Sequence, residues 1–161
     1  MAVTTENSTQ IDNESATPPV KNDSCDDRGR LRVKRFDFTQ GAAAGDATST
    51  QSLIKIPPGK VNVHLALSRI AFSAFGASRV LDIGYTAYTN PDGTAVAADA
   101  DGIANDIDVS SAGNANPTGI VGGDEIIQFN SKEGVTIYAT VAGGTIPAAA
   151  TLDGCFYISQ D

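Results

Sequence analysis

Residues 60–88 read KVNVHLALSRIAFSAFGASRVLDIGYTAY. Val61, Val63, Leu65 and Leu67 fall on alternate positions, with Asn62, His64, Ala66 and Ser68 between them. Leu81, Ile83, Tyr85 and Ala87 repeat the pattern against Asp82, Gly84 and Thr86. A period of two sends successive side chains to opposite faces of a pleated strand, so each run has one face for a core and one turned outward. The small-residue break from Ser73 to Ser78 lets the chain reverse. The stretch predicts two long strands joined by a connection a little longer than a tight hairpin. Both need partner strands and a second sheet to cover them.

Upstream, a strand is expected from about Thr48 to Ile56, with Thr50, Ser52, Ile54 and Ile56 on one side and Pro57-Pro58-Gly59 as its stop. Before it, Leu31 and Val33 alternate with Arg30, Arg32 and Lys34, the pattern of an edge strand with a basic outer face. Phe36 and Phe38 flank Asp37 and extend this strand, and the change of register near Arg35 predicts a bulge. Downstream, Asn90-Pro-Asp-Gly-Thr94 is a strong turn signal. Ala95 to Gly123 is the least regular part: Ala95 to Asn105 reads as a short helix, Ile107 and Val109 as a brief strand, Ser110 to Gly119 as a loop. Regular alternation returns in Ile127 and Phe129, in Val135, Ile137, Ala139 and Val141, and in Leu152, Gly154, Phe156 and Ile158. Seven or eight strands separated by turns predict an all-β fold, an antiparallel β-sandwich or jelly-roll-like barrel. Residues 31–161 form its single domain, with a long irregular loop at about 89–123, and residues 1–30 form a flexible extended N-terminal arm.

Composition agrees. One domain is natural for 161 residues, and with 6% aromatics, no Trp and sixteen Gly the core should be modest, so that packing against neighbouring chains matters. Acids and bases balance within residues 1–35, so the whole formal charge of −8 sits on residues 36–161. An acidic body repels nucleic acid and anionic membranes, and no run reaches the length of a membrane helix. The first 27 residues are too polar to offset their own ordering entropy, so another chain must order them. The N-terminus lacks the basic start and apolar block of a secretory signal, which predicts synthesis in a cytoplasm, with Cys25 and Cys155 as free thiols. Cys155 is expected to pack as a small hydrophobe.

No catalytic, cofactor-binding or metal-binding residue is expected. His64 is the one histidine, and Ser68, four residues along the same strand, would lie about 13 Å away by strand rise, too far to be its nucleophile. Asp99, Asp101, Asn105, Asp106 and Asp108 crowd one loop and offer oxygens of the kind calcium takes, but the spacing does not match an EF-hand, and a solvated acidic loop accounts for them. Asp82, Asp99 and Asp124 are the carboxylates a glycan hydrolase would use, yet no aromatic sugar platform accompanies them. The residues expected to meet a partner are the basic run Arg28, Arg30, Arg32, Lys34 and Arg35.

Two stretches carry a family resemblance. SRIAFSAFGASRVLDIGY at 68–85, continuing through NPDGT at 90–94 to NDIDVS at 105–110, is one; VTIYATVAGGTIPAAATLDG at 135–154 is the other. Together they resemble small virion structural proteins of tailed double-stranded DNA bacteriophages, over roughly residues 48–158. The resemblance implies a capsid decoration or cement protein on the outer surface of the head, made in the host cytoplasm. It would bind the major capsid protein and copies of itself, and it transfers no site residues. A tail or fibre component contacting a host surface glycan is the alternative; a glycan hydrolase and a carbohydrate-binding module are further ones.

Overall fold

A computed structural model describes residues 16–18, 20, 30–46, 49–117 and 126–160. The expected arm therefore lies outside the described residues, apart from 16–18, 20 and 30, as do Arg28, Cys25 and Asp124. The described chain forms eleven strands: β1 Arg30–Thr39, β2 Thr50–Ile56, β3 Gly59–Phe72, β4 Val80–Tyr85, β5 Tyr88–Thr89, β6 Ala95–Val96, β7 Asp99–Asp108, β8 Gly113–Ala115, β9 Ile126–Ser131, β10 Val135–Ala142 and β11 Thr151–Gln160. One sheet runs β1-β11-β3, with β8 and β9 both pairing β3; the other runs β2-β10-β4-β7; β5 and β6 make a small hairpin.

The long pairings are nested. β1 pairs β11, β2 pairs β10, β3 pairs β9 and β4 pairs β7, all antiparallel. The chain behaves as one long hairpin folded at its middle and then rolled, so that β11 also meets β3 and β10 also meets β4. That is the winding of a jelly roll. It corrects the reading of residues 60–88. β3 and β4 are not a hairpin but belong to opposite sheets, and residues 73–79 cross between them.

The core lies between the sheets. Val61, Val63, Leu65, Ile70, Phe72, Phe129, Leu152, Phe156 and Ile158 come from one side, and Ile54, Ile56, Leu81, Ile83, Val135, Ile137, Ala139 and Val141 from the other. Alternation therefore located most inward positions correctly. Leu67, at 54% exposed, and Ala87, exposed beyond the end of β4, are exceptions. The β3–β11 register pairs His64 with Tyr157 and Arg69 with Cys155, so four residues of β3 stand against Phe156 alone. This wide bulge changes which parity faces inward: positions 61, 63 and 65 before it, 70 and 72 after it. Ser68 is buried within the bulge, where its hydroxyl donates to the His64 carbonyl at 2.7 Å and accepts from the Tyr157 N–H at 3.2 Å. One side chain thus stands in for ladder bonds the bulge interrupts. The 13 Å expected from strand rise fails for the same reason: the chain between His64 and Ser68 is not extended. Gly154 serves the next rung, since a Cβ there would collide with the Arg69 carbonyl oxygen. The space it leaves lets Phe36 pack on Phe156 with ring centroids 5.8 Å apart.

Three further expectations change. Between β2 and β10 the register shifts between Ile137 and Tyr138, so Gln51 is buried with Ile54 and Ile56, while Thr50 and Ser52 face out. β1 carries no bulge near Arg35: its register with β11 is continuous from Arg30↔Gln160 to Thr39↔Thr151. The segment expected to form a helix at Ala95–Asn105 instead contributes β6 and most of β7, because β4 would otherwise be left with an unpaired edge inside the sandwich. The turn signals hold. Gly93 and Gly134 take φ of +92° and +90°, and the Gly134 N–H donates to Ser131 Oγ at 2.8 Å to close the β9–β10 turn.

Ser68→Ala removes both hydrogen bonds of the Ser68 hydroxyl and should lower unfolding free energy by about 1–3 kcal/mol. Ser52→Ala, on the solvent side of β2, should change it by less than about 0.5 kcal/mol. Urea titrations of the two variants beside the parent check this, and equal midpoints would remove the bulge from the account of stability.

Candidate interaction surface

The outer face of the β1-β11-β3-β9 sheet follows from registers alone, because directly opposed residues in an antiparallel pair share a face. Leu31, Ser159, Asn62 and Gln128 form one row across it, and Val33, Tyr157, His64 and Ile126 the next; Arg35, Cys155 and Arg69 form a third across β1, β11 and β3. Within the first row Gln128 Nε2 donates to Asn62 Oδ1 at 2.9 Å. His64 Nε2 lies 2.9 Å from Ser159 Oγ, which links the first two rows. Asn62 and Ser159 are buried, whereas Leu31, Val33 and Ile126 are 51%, 48% and 49% exposed. The apolar members thus stand at the margins of a hydrogen-bonded polar centre.

The continuous register of β1 divides the basic run. Arg30, Arg32 and Lys34 share a side with Phe36 and Phe38, opposite Gln160, Ile158 and Phe156 of β11; Arg35 shares the other side with Leu31 and Val33. The expected basic outer face is therefore reversed: Leu31 and Val33 point outward, and three of the bases stand on the core-facing side. That row leaves the core as it runs back toward Arg30. Phe36 is buried, Lys34 half-buried, Arg32 and Arg30 exposed. Lys and Arg stems can lie along Phe156 and Ile158 while their charges reach water. Inward-pointing charges at the end of an edge strand also hinder another strand from adding there.

The second sheet presents a different surface. Thr50, Thr140 and Asp82 form one row on its outer face and Ser52, Tyr138 and Gly84 another. Its edge strand β7 carries Asp99, Asp101, Asp106 and Asp108. The acidic residues expected in one loop are instead strung along a strand of ten residues, roughly 30 Å when extended. The Asp106 N–H donates to Asp82 Oδ1 at 2.9 Å, and Asp108 Oδ1 accepts from the Ser110 N–H at 2.8 Å, which holds the Asp108 carboxyl below the usual carboxylate range. Among the described residues no group of three or more His, Cys, Asp or Glu gathers as metal ligands would.

The sequence missed the partner of the histidine. Ser159 is nearly a hundred residues from His64 and was visible only as an outward position on the last strand. The pair does not make a hydrolytic site: Ser159 is 3% exposed, too enclosed to reach a substrate carbonyl. Cys155 does not pack in the core as expected but is a half-exposed free thiol on the outer face, opposite Arg35 and Arg69. With Arg35, Phe36, Asp37, Asp153 and Gly154 it lines a shallow hollow over β1 and β11.

Nothing matches the chain among protein-family models or curated protein sequences. Among solved structures it is similar to a chain of the cyanophage Pam1 capsid asymmetric unit, with 10% identity over 83% of this chain and 86% of that one and a TM-score of 0.53. It is also similar to a chain of infectious bursal disease virus, Gx strain, with 14% identity, 83% of this chain, 32% of that one and a TM-score of 0.48. For the VP2 subviral particle of that virus the values are 15%, 83%, 33% and 0.43. The last two likenesses are too loose to argue from, and identity as low as 10% establishes a shared fold and nothing more.

At the end of the sandwich where β1 begins, Tyr85, Tyr88 and Phe129 pack edge to face with centroids 5.2–6.2 Å apart. Burial, then the Asp99 carboxylate and Tyr88, raise the Tyr85 phenol above its ordinary value, and burial raises that of Tyr88. A phenol that binds its proton more tightly in the folded state adds stability that is complete below the unfolded value, about 10, and is lost as pH rises through the folded value. Circular dichroism followed against pH should therefore show unfolding that begins above about pH 10, and Tyr85→Phe should move its onset upward. An unchanged onset would remove Tyr85 from the alkaline transition.

Proposed function

We propose that this protein is a non-enzymatic structural component of a phage virion, and that it decorates the outer surface of the assembled head. One observation carries the reading: the jelly roll is shared, over nearly the full length of both chains, with a chain of a phage capsid asymmetric unit. The surfaces agree. The outer sheet face offers Leu31, Val33 and Ile126 beside Arg35, the mixture of apolar and guanidinium groups enriched at protein interfaces. The partner-binding set is Arg28, Arg30, Arg32, Lys34 and Arg35, and the partners are the major capsid protein and copies of this chain. Residues 1–30 lie as an arm across neighbouring shell subunits and residues 31–161 are the seated domain. Each copy binds weakly, and linked copies gain by avidity.

Purified protein lacking residues 1–30 should bind undecorated heads at least about tenfold more weakly than the full chain. Val33→Ser with Ile126→Ser should weaken binding while changing stability by less than about 0.5 kcal/mol each. Occupancy read by gel densitometry of sedimented particles checks both, and unchanged occupancy for both would rule out the arm and the face. Labelled antibody found at the tail, and not over the shell, would move the protein to a fibre that contacts host glycan.

A further inference from the structure

We propose that copies of this protein associate head to tail, through the basic edge strand β1 of one copy and the acidic edge strand β7 of the next. Each strand ends its sheet, and among the described residues nothing pairs its free side. The two edges lie on opposite flanks of the sandwich: β1 packs beside β2, the first strand of the second sheet, and β7 is the last strand of that sheet. β1 presents Arg30, Arg32, Lys34 and Arg35 against one acid, Asp37; β7 presents Asp99, Asp101, Asp106 and Asp108 and no base. Like charges oppose a β1–β1 or a β7–β7 contact, so a two-fold dimer through either edge is disfavoured. The combination left is β1 with β7, which joins different surfaces of identical chains and continues around a ring or across a lattice.

The geometry also says what kind of contact this is. β7 is irregular against β4, with register shifts on either side of Ile83 and a φ of +57° at Asp106. β1 has bases on its core-facing side. Neither edge is a flat template for a continuous ladder, so the contact is chiefly between side chains, salt-sensitive and weak in solution. On a surface that holds the copies side by side, the same contact is strengthened by effective concentration. The outward row of Leu31, Val33 and Arg35 stays free for a different partner.

The test is a charge swap on the full-length chain. One variant carries Arg30→Glu, Arg32→Glu and Lys34→Glu; the other carries Ala100→Lys, Asp101→Lys, Asn105→Lys and Asp106→Asn, all exposed positions that make β7 net positive and leave the hydrogen bonds of the Asp106 N–H and the Asp108 carboxylate in place. Thermal melts establish that each variant folds. Sedimentation velocity over a concentration series, at ~20 mM and ~500 mM salt, should show parent self-association that weakens about tenfold or more at the higher salt. Each variant alone should lose it, since all its edges then carry one sign. An equimolar mixture should recover it, because every β1 then meets a β7 of opposite sign. A parent that sediments as a monomer throughout, variants that associate as the parent does, or a mixture that stays monomeric would each overturn the proposal. It does not rest on the shell reading: a chain that binds heads without self-association would sink this inference alone, and one that self-associates without binding heads would sink the other.

Discussion

Strand β3 is the constraint on which the rest of the structure depends. It is bonded to β11 along one side and to β8 and β9 along the other, so it cannot shift register without breaking both. Its inward residues span the length of the core. A flat strand of fourteen residues with the sequence 59–72 would bury Leu67 and expose Ile70 and Phe72, because the apolar positions change parity after Leu67. The bulge resolves that conflict, and Ser68 braces it by bonding the His64 carbonyl and the Tyr157 N–H across it. Leu67 is turned outward as a consequence, and its exposure is the visible trace of the device.

The legible part of the fold is the part set by near neighbours in sequence. Alternation marked the inward faces of β4, β10 and β11 because those strands run without interruption, and Gly93 and Gly134 marked turns because only their backbone requirements mattered. Bulges were invisible. Whether Thr50 or Gln51 faces the core depends on Tyr138 of a strand more than eighty residues later. The alanine-rich run before Asn105 suits a helix by local propensity, and the need of β4 for a partner overrode it. Nested pairing is the least local feature of all, since Arg30 meets Gln160. The candidate surface divides in the same way. The basic run stood out as charge, but its separation into two faces depends on a register with the last strand, and the row Val33, Tyr157, His64, Ile126 is assembled from four strands that are distant in sequence.

Opposite charge on the two free edges has one origin and two effects. A sandwich made of strands must blunt its edges, and fixed charge does so with little cost to the core, because Arg30, Arg32 and the β7 aspartates lie beyond it. Choosing one sign for both edges would keep every copy apart. Choosing opposite signs still forbids each edge its own image, yet it permits the unlike pair, so protection against indiscriminate strand addition becomes a directional preference. The preference is weak by design of the chemistry: exposed ion pairs are worth little each in water. Such weakness makes the unlike pair depend on effective concentration, so copies in dilute solution separate and copies held side by side do not.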